Sequence, residues 1–212
     1  MKIVLFGPQG VGKGTYGVLL SKKYDLPLLG AGQMLRDAIK QGTDAGKVAE
    51  KIIHDGNLVP TSIISDIIRD KISSSPDGYI LDGFPRNLEQ ANVFSDEMDK
   101  VDFLIELSAP RDLLLHRLSG RRTCRDCGFV YNIFPDCDPN PQNPDKCDSC
   151  GGVLYQRDDD TVDAINRRLD IYFNDTEPVL RKYSDRVIKV DASTDPSDVV
   201  SKISFIIEKG SL

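Results

Sequence analysis

The chain has 212 residues, of which 40% are hydrophobic and 28% charged, and its formal net charge is -6 at pH 7. This composition is typical of a globular protein with one main domain and insertions, and the acidic balance disfavours a nucleic-acid binder. No apolar run approaches the roughly 18 residues of a membrane span. The first predicted strand begins at Lys2 and leaves no room for a signal peptide. A cytoplasmic, reducing location is therefore expected, where cysteines bind metals more often than they form disulfides.

A glycine-rich turn follows the first predicted strand, at 2–6, and leads into a helix. Residues 7–15 read GPQGVGKGT, which meets the phosphate-binding pattern G-x-x-x-x-G-K. Glycines let backbone amides converge on a phosphate at the positive end of the helix. Lys13 can then reach the outer phosphates, and the Thr15 hydroxyl can meet Mg²⁺. The alternative is a glycine turn with a chance lysine, which the flanking strand and helix disfavour.

Strand and helix patterns alternate over most of the chain. Apolar runs predict strands near 2–6, 26–29, 78–81, 102–107 and 186–190, whereas 30–60 carries helical segments without a strong strand between them. This alternation predicts an α/β fold with a five-stranded parallel sheet flanked by helices. Such sheets bind ligands at the carboxyl ends of their strands, where the glycine turn lies.

Residues 79–86 read YILDGFPR and predict a buried strand that ends in Asp82. A carboxylate there can orient Mg²⁺ beside a phosphate-binding loop. The alternative is a turn-forming aspartate before Gly83. Arginines recur at positions that can converge on phosphate: Arg36, Arg86, Arg117, Arg121, Arg157 and Arg168. Together with the glycine loop they suit transfer between two polyphosphates, which needs alignment and charge stabilisation more than covalent chemistry.

Two Cys-x-x-Cys pairs lie in a segment that is rich in Cys, Asp, Pro and Asn and poor in aliphatic residues, 120–157. Cys124 and Cys127 precede Cys147 and Cys150 by an interval of 19 residues, a spacing typical of a tetrahedral Zn²⁺ site. Four sulfurs leave no open coordination position, so the zinc should be structural and should compensate for the missing apolar core. A redox pair or unliganded thiols are the alternatives.

The same segment is predicted to contain short strands at 129–131 and 153–155 and a free, exposed thiol at Cys137. A zinc ribbon can also bind nucleic acid, but 121–157 carries five basic and five acidic residues. That balance provides no positive stripe for a phosphate backbone, and four thiolates add negative charge. Neither nucleic acid nor a membrane is therefore expected as a partner.

These motifs resemble the adenylate kinase family, in the form whose lid carries zinc, over nearly the whole chain. The matching runs are 12–15, 32–36, 56–59, 81–86 with Gln90, 120–122, 156–157 with Asp159 and Asp160, and 168–169. The resemblance implies a P-loop core of 1–29, 61–120 and 158–212. It also implies a helical insertion at 30–60 that binds the nucleoside monophosphate and a zinc-binding lid at 121–157.

The resemblance implies a role for each matching position. The ATP site would contain the glycine loop and two arginines: Gly10, Gly12, Lys13, Gly14, Thr15, Arg117 and Arg121. The AMP site would contain Ala31, Arg36, Val59, Gly83, Arg86 and Gln90. The phosphoryl group in transfer would be stabilised by Lys13, Arg86, Arg121, Arg157 and Arg168. Asp82 would hold Mg²⁺ through water, and closure of the lid would exclude water as a competing acceptor.

The sequence departs from the family pattern in the monophosphate-binding segment. The family usually has a Ser-Thr pair where Gly30 and Ala31 stand, and Asp where Gln33 stands. The threonine hydroxyl normally touches the acceptor base, so selection for adenine is expected to be blunted here.

The residues and the resemblance together predict an enzyme that converts ATP and AMP reversibly into two ADP with Mg²⁺. It is expected to be a monomer or a small homo-oligomer. A broad-specificity nucleoside monophosphate kinase is the first alternative. The others are a nucleotide-hydrolysing switch whose zinc module binds a partner, and a purely structural zinc protein. A switch would hydrolyse nucleotide without any acceptor, and this chain lacks the paired guanine-reading motif of GTPases. A purely structural role leaves Lys13 and Asp82 unexplained.

Overall fold

The computed structural model of the chain describes residues 1–54 and 57–210. The strands in that part are Lys2–Phe6 (β1), Leu28–Gly30 (β2), Tyr79–Asp82 (β3), Phe103–Ser108 (β4), Arg121–Cys124 (β5), Val130–Asn132 (β6), Leu154–Tyr155 (β7) and Val187–Asp191 (β8). The α-helices are Lys13–Tyr24 (α1), Ala31–Lys40 (α2), Asp44–His54 (α3), Thr61–Ser73 (α4), Leu88–Val93 (α5), Ser95–Met98 (α6), Arg111–Ser119 (α7), Val162–Ile171 (α8), Glu177–Lys182 (α9) and Pro196–Lys209 (α10). A 3₁₀ turn, Asp158–Asp160, precedes α8, and a π-helical turn, Tyr172–Thr176, joins it to α9.

Five strands form one parallel sheet in the order β2-β3-β1-β4-β8. The central strand is β1, in which Val4 lies opposite Leu81 of β3 and Leu104 of β4. Parallel neighbours need long crossover connections, and helices provide them here. The predicted α/β fold, a five-stranded parallel sheet flanked by helices, is confirmed.

The second strand begins at Leu28, two residues later than the sequence predicts. Pro27 has no amide hydrogen to donate to the ladder, although its carbonyl accepts from the Ile80 amide at 2.9 Å. The other four predicted strands agree with β1, β3, β4 and β8 to within one residue at each end.

The sheet is buried on both faces. Val4 and Leu81 belong to a cluster that includes side chains of α2, α4 and α9, whereas Ile3 and Ile80 belong to a cluster that includes α1, α7 and α10. Alternate strand residues point to opposite faces, so a strand covered on both sides is apolar throughout. Within the described ranges, no helix is both long and apolar enough to cross a membrane.

The predicted helical insertion at 30–60 consists mainly of α2 and α3, which pack on each other. Gly46 allows this approach, because a β-carbon there would lie 2.2 Å from the carbonyl oxygen of Ala38. One predicted motif in this insertion, the run 56–59, begins at Gly56, which lies outside the described residues.

The smaller sheet is antiparallel, in the order β6-β5-β7. The strands predicted at 129–131 and 153–155 are present as β6 and β7, each beginning one residue later. Their buried cluster joins two cysteines to two other side chains: Cys124, Tyr131, Cys147 and Leu154. A core of this size is too small to stabilise the segment by apolar burial alone.

The prediction that Cys137 is exposed is wrong. Its relative exposure is 6%. The Cys137 amide donates to the carbonyl of Phe134 at 3.0 Å, and this turn folds the side chain into the loop. A local hydrogen bond that composition does not reveal therefore decides the burial.

Candidate active site

The glycine-rich turn places Lys13 at the start of α1. Gly10 and Gly12 have φ of 83° and 98°, a region that favours glycine. A β-carbon on Gly10 would also lie 2.9 Å from the carbonyl oxygen of Leu114. The Lys13 Nζ donates to the carbonyl oxygens of Gly7 at 2.6 Å and Pro8 at 2.9 Å. The loop carbonyls thus hold the ammonium close to the start of α1.

Asp82 ends β3 next to this turn. Its strand is parallel to β1, with Asp82 opposite Leu5. The carboxylate therefore lies at the same edge of the sheet as the glycine-rich turn that follows β1. A β-carbon on Gly14 would lie 3.9 Å from Asp82 Oδ2, which sets the distance between the carboxylate and the first turn of α1. A hard cation between Asp82 and a phosphate bound by the loop is compatible with this placement.

Arg86 is positioned by hydrogen bonds on both its backbone and its side chain. Its Nε donates to the Gly83 carbonyl at 2.7 Å, and its amide donates to Gln90 Oε1 at 2.8 Å. The Thr176 hydroxyl, in the π-helical turn, donates to the Arg86 carbonyl at 2.7 Å. Three hydrogen bonds therefore hold the chain from Gly83 to Arg86, and the Gln90 side chain already accepts one of them.

The structure brings five of the predicted arginines into one cluster: Arg36, Arg86, Arg121, Arg157 and Arg168. Asp160 lies at its centre and is 3% exposed. Both Nε and a terminal nitrogen of Arg121 donate to its carboxylate, the former at 2.8 Å, and Arg168 donates to it at 3.3 Å. Arg168 also pairs with Asp159 at 2.9 Å. Two carboxylates thus partly compensate five guanidinium groups.

The cluster has an excess of buried positive charge. Burial, and then the neighbouring Arg121, lower the pKa of Arg36 and of Arg157. Burial lowers the pKa of Lys13 to about 8, with the charges of Arg86, Arg168 and Arg121 acting in the same direction and Asp82 against them. Cations held close together without full compensation form a site for a multiply charged anion.

The remaining predicted residues lie outside this arginine cluster, in different environments. Arg117 lies apart, because its guanidinium donates to the Ala192 carbonyl at 2.9 Å, beyond the end of β8. Ala31 and Val59 are buried in the apolar cluster beneath α2. Thr15 occupies the first turn of α1, and Gly83 turns the chain with φ of 74°.

The four cysteines of the two Cys-x-x-Cys pairs converge beside the smaller sheet. Cys124 Sγ lies 3.4 Å from Cys150 Sγ, and Cys127 Sγ lies 3.6 Å from Cys147 Sγ. Thiolates bound at 2.3 Å in a tetrahedral zinc site are about 3.8 Å apart, so this cluster fits the ion with small adjustments. Burial opposes ionisation of Cys147, but hydrogen bonds from Tyr131 and backbone amides lower the pKa of its thiol, which favours the thiolate that zinc requires.

Sequence reasoning missed the roles of two polar residues. Asp160 was recognised within a motif, but its burial between Arg121 and Arg168 was not predicted. Thr176 was not identified, because a threonine within a helical pattern gives no signal that its hydroxyl bonds a carbonyl ninety residues earlier. Its π-helical location is a feature often found at functional sites, but it is visible only in the structure.

The family model described as adenylate kinase matches residues 5–188. The chain belongs to the adenylate kinase family. Among similar proteins, the adenylate kinase of Methanocella arvoryzae is 41% identical, with 99% of each chain covered. That of Archaeoglobus fulgidus is 39% identical, also with 99% of each covered, and that of Thermodesulfovibrio yellowstonii is 37% identical over 99% of this chain and 100% of its own.

Membership confirms the predicted family and the predicted enzyme class, a nucleoside monophosphate kinase that transfers a phosphoryl group. The relatives cover 99% of the chain, so the resemblance includes the helices at 30–60 and the segment with the two cysteine pairs as well as the parallel sheet. A broad-specificity kinase is not favoured by these relatives.

Proposed function

We propose that the chain transfers a phosphoryl group reversibly from ATP to AMP, giving two ADP, with Mg²⁺. The observation that carries this proposal is the cluster of five arginines, three of which, Arg86, Arg121 and Arg168, lie near enough for their charges to act on Lys13. Lys13 and Asp82 stand beside each other at the carboxyl ends of β1 and β3. Transfer between two polyphosphates requires such a cavity, because little covalent chemistry is needed and much negative charge must be aligned. The terminal phosphorus leaves the oxygen of ADP and bonds to a phosphate oxygen of AMP.

The donor roles follow from the loop. The amides of Gly10, Gly12, Gly14 and Thr15, with Lys13, bind the outer phosphates of ATP, and the ammonium moves from the loop carbonyls towards them. Arg117, next to the lid, packs along the donor base. Arg121, Arg157 and Arg168 neutralise the charge that builds up on the group in transfer.

The acceptor roles follow from the opposite side of the cavity. Arg36 and Arg86 bind the phosphate of AMP, and Thr176 keeps the Arg86 backbone in place. Gln90, Ala31 and the backbone near Val59 and Gly83 surround its base and ribose. These assignments are supported by the hydrogen bonds that Arg86 makes to Gly83 and Gln90, and by the burial of Gln90.

Two metals fit the residues present. Asp82 would hold Mg²⁺, through water, at the loop, and the ion would there supply positive charge against the phosphates of ATP. Cys124, Cys127, Cys147 and Cys150 would hold a structural Zn²⁺ with no open position. We assign the core to 1–29, 61–120 and 158–212, the monophosphate-binding segment to 30–60 and the lid to 121–157.

The two insertions meet across the cavity, which supports a role for them in excluding water. A β-carbon on Gly128, in the lid, would lie 3.7 Å from Gln33 Oε1, in α2. Water is the competing phosphoryl acceptor, so contact between the insertions protects the transfer.

The decisive test is a coupled assay of ADP formation from MgATP with AMP, GMP, CMP or UMP as acceptor. We expect the highest kcat/KM with AMP and no ADP without an acceptor. The Lys13→Met variant, made and purified identically, controls for contaminating kinases. ATP hydrolysis that needs no acceptor would indicate a switch or ATPase, and equal rates with all four acceptors would indicate broad specificity; either result contradicts the proposal.

A further inference from the structure

A second group of side chains that could bind a metal ion is separate from the four cysteines of the two Cys-x-x-Cys pairs. His116 is in the last turn of α7, and Asp136 and Cys137 are neighbours in the loop that follows β6. One ligand atom from each residue lies within 4.8 Å of the other two. The group combines nitrogen, oxygen and sulfur donors.

The three side chains are already in contact. His116 Nε2 lies 3.0 Å and 3.1 Å from the two carboxylate oxygens of Asp136. The Cys137 sulfur lies within 4.8 Å of the ligand atoms of both His116 and Asp136. Nitrogen and oxygen ligands of one tetrahedral zinc ion are about 3.3 Å apart, so the His116–Asp136 separation needs little change to admit the ion.

The arrangement is held by groups that do not themselves belong to it. The His116 ring stacks on Phe134, with centroids 4.5 Å apart and planes inclined by 15°. The Asn140 amide nitrogen lies within 2.8 Å of the carbonyl oxygens of Asn132, Phe134 and Cys137. Ligands oriented by such secondary contacts bind metal more tightly than free side chains do.

We propose that His116, Asp136 and Cys137 form a second Zn²⁺ site, with water as the fourth ligand. Thiolate and imidazole with a single carboxylate suit zinc, whereas Mg²⁺ and Ca²⁺ take oxygen ligands. The side chains of His116 and Asp136 are 41% and 67% exposed, which gives the ion a path to the buried thiol. The ion would join α7 to the loop at 133–140.

A simple ion pair is the competing explanation. An exposed histidine–aspartate pair contributes little to stability, and it does not require a thiol as third partner. The two explanations differ in whether the intact protein takes up one more zinc ion, and in whether Cys137 takes part.

The first experiment is a calorimetric titration of the full chain with Zn²⁺. The protein is first dialysed against a chelator, so that it keeps only the zinc bound by the four cysteines. We expect one further equivalent, and at least a tenfold weaker affinity for it in His116→Ala and in Cys137→Ser, because even outer contacts of metal sites are worth about 10–100-fold. His54→Ala, which changes the other of the two histidines, should bind as the wild type does. No further equivalent in the wild type, or unchanged affinity in both site variants, overturns the proposal.

Co²⁺ provides a readout of the ligands themselves. One equivalent added to the zinc-loaded protein should give visible bands of a tetrahedral ion and a near-ultraviolet sulfur-to-cobalt band. Cys137→Ser should lose the sulfur-to-cobalt band. Asp136→Asn should keep that band but bind cobalt more weakly. Circular dichroism should show that both variants are folded. A sulfur band that survives in Cys137→Ser places the cobalt in the four-cysteine cluster and overturns the proposal.

Discussion

Lys13 is held in place by the same glycine-rich turn with which it is expected to bind phosphate. Its ammonium donates to two loop carbonyls, so the charge is positioned before any phosphate arrives. Burial among other cations lowers its pKa to about 8. A bound polyphosphate favours the protonated form and raises the pKa again, so binding is coupled to proton uptake above that pH.

We therefore expect the affinity for ATP to fall as pH rises through about 8, by up to about tenfold per pH unit. Below that pH Lys13 is already charged, so the affinity should be nearly level. Calorimetry between about pH 7 and about pH 9.5 measures this. Lys13→Arg remains charged throughout and should bind more weakly but without the decline; an equal decline in both proteins contradicts the assignment to Lys13.

Ala31 is where base selection is open to test. It is 2% exposed and packs in the cluster beneath α2, at the position where the family usually has threonine. Restoring the hydroxyl with Ala31→Thr should raise the preference for AMP over GMP, CMP and UMP by up to about tenfold, the value of one neutral hydrogen bond. Ratios of kcat/KM measure this, and Ala31→Val, of the same shape without the hydroxyl, is the control.

The expectation includes detectable turnover of a second monophosphate by the wild type. Rejection of all other monophosphates by more than about a thousandfold would contradict this expectation. It would show that the base is selected by other buried polar groups, which the wrong base leaves without a hydrogen-bond partner. Equal ratios in Ala31→Thr and Ala31→Val would show that position 31 acts through packing alone.

At the scale of an element, we expect the smaller sheet to depend on the proposed zinc ion for its stability. Its buried cluster contains two of the four cysteines and little else. A structural zinc ion contributes on the order of 10 kcal/mol of folding free energy in such modules. The parallel sheet, buried on both faces, needs no such contribution.

Cys127→Ser should therefore lose the zinc that survives dialysis against a chelator, one equivalent per chain in the wild type. Hydrogen exchange should increase mainly in 121–157, while β1, β3 and β4 stay protected, because the core has its own apolar clusters. Elemental analysis and exchange mass spectrometry measure the two effects. Cys137→Ser should keep the chelator-resistant ion. Full zinc retention in Cys127→Ser, or a uniform rise in exchange, would contradict the assignment.

At the scale of the whole molecule, Asp160 connects the smaller sheet to α8. It accepts from Arg121 of β5 and from Arg168 of α8, and its side chain is fully buried. Removing one partner of a buried ionic network is costly, because the remaining charges stay desolvated.

Asp160→Asn should lower the free energy of unfolding by about 3 kcal/mol, a fall in melting temperature of about 6–12 °C for a chain of this size. Calorimetry or a thermal melt followed by circular dichroism measures it. Asp158→Asn, an exposed aspartate in the same 3₁₀ turn, should leave the melt unchanged. Similar melts for both variants would mean that the buried pair contributes no net stability.

The sequence alone determined the features that depend on local spacing. The glycine loop, the strand that ends in Asp82 and the two cysteine pairs are each set by residues close together in the chain, so their chemistry follows from pattern. The alternation of strands and helices determined the parallel sheet for the same reason, with Pro27 delaying one strand.

Only the tertiary structure decided which distant groups meet. Arg36, Arg121 and Arg168 lie far apart in sequence, and their convergence depends on strand order and on how the insertions pack over the sheet edge. The burial of Asp160 and the bond from Thr176 to Arg86 also arise from contacts between residues that are far apart in the chain. Burial and partners are properties of packing, and each of these residues is compatible with an exposed position when only its neighbours in the chain are known.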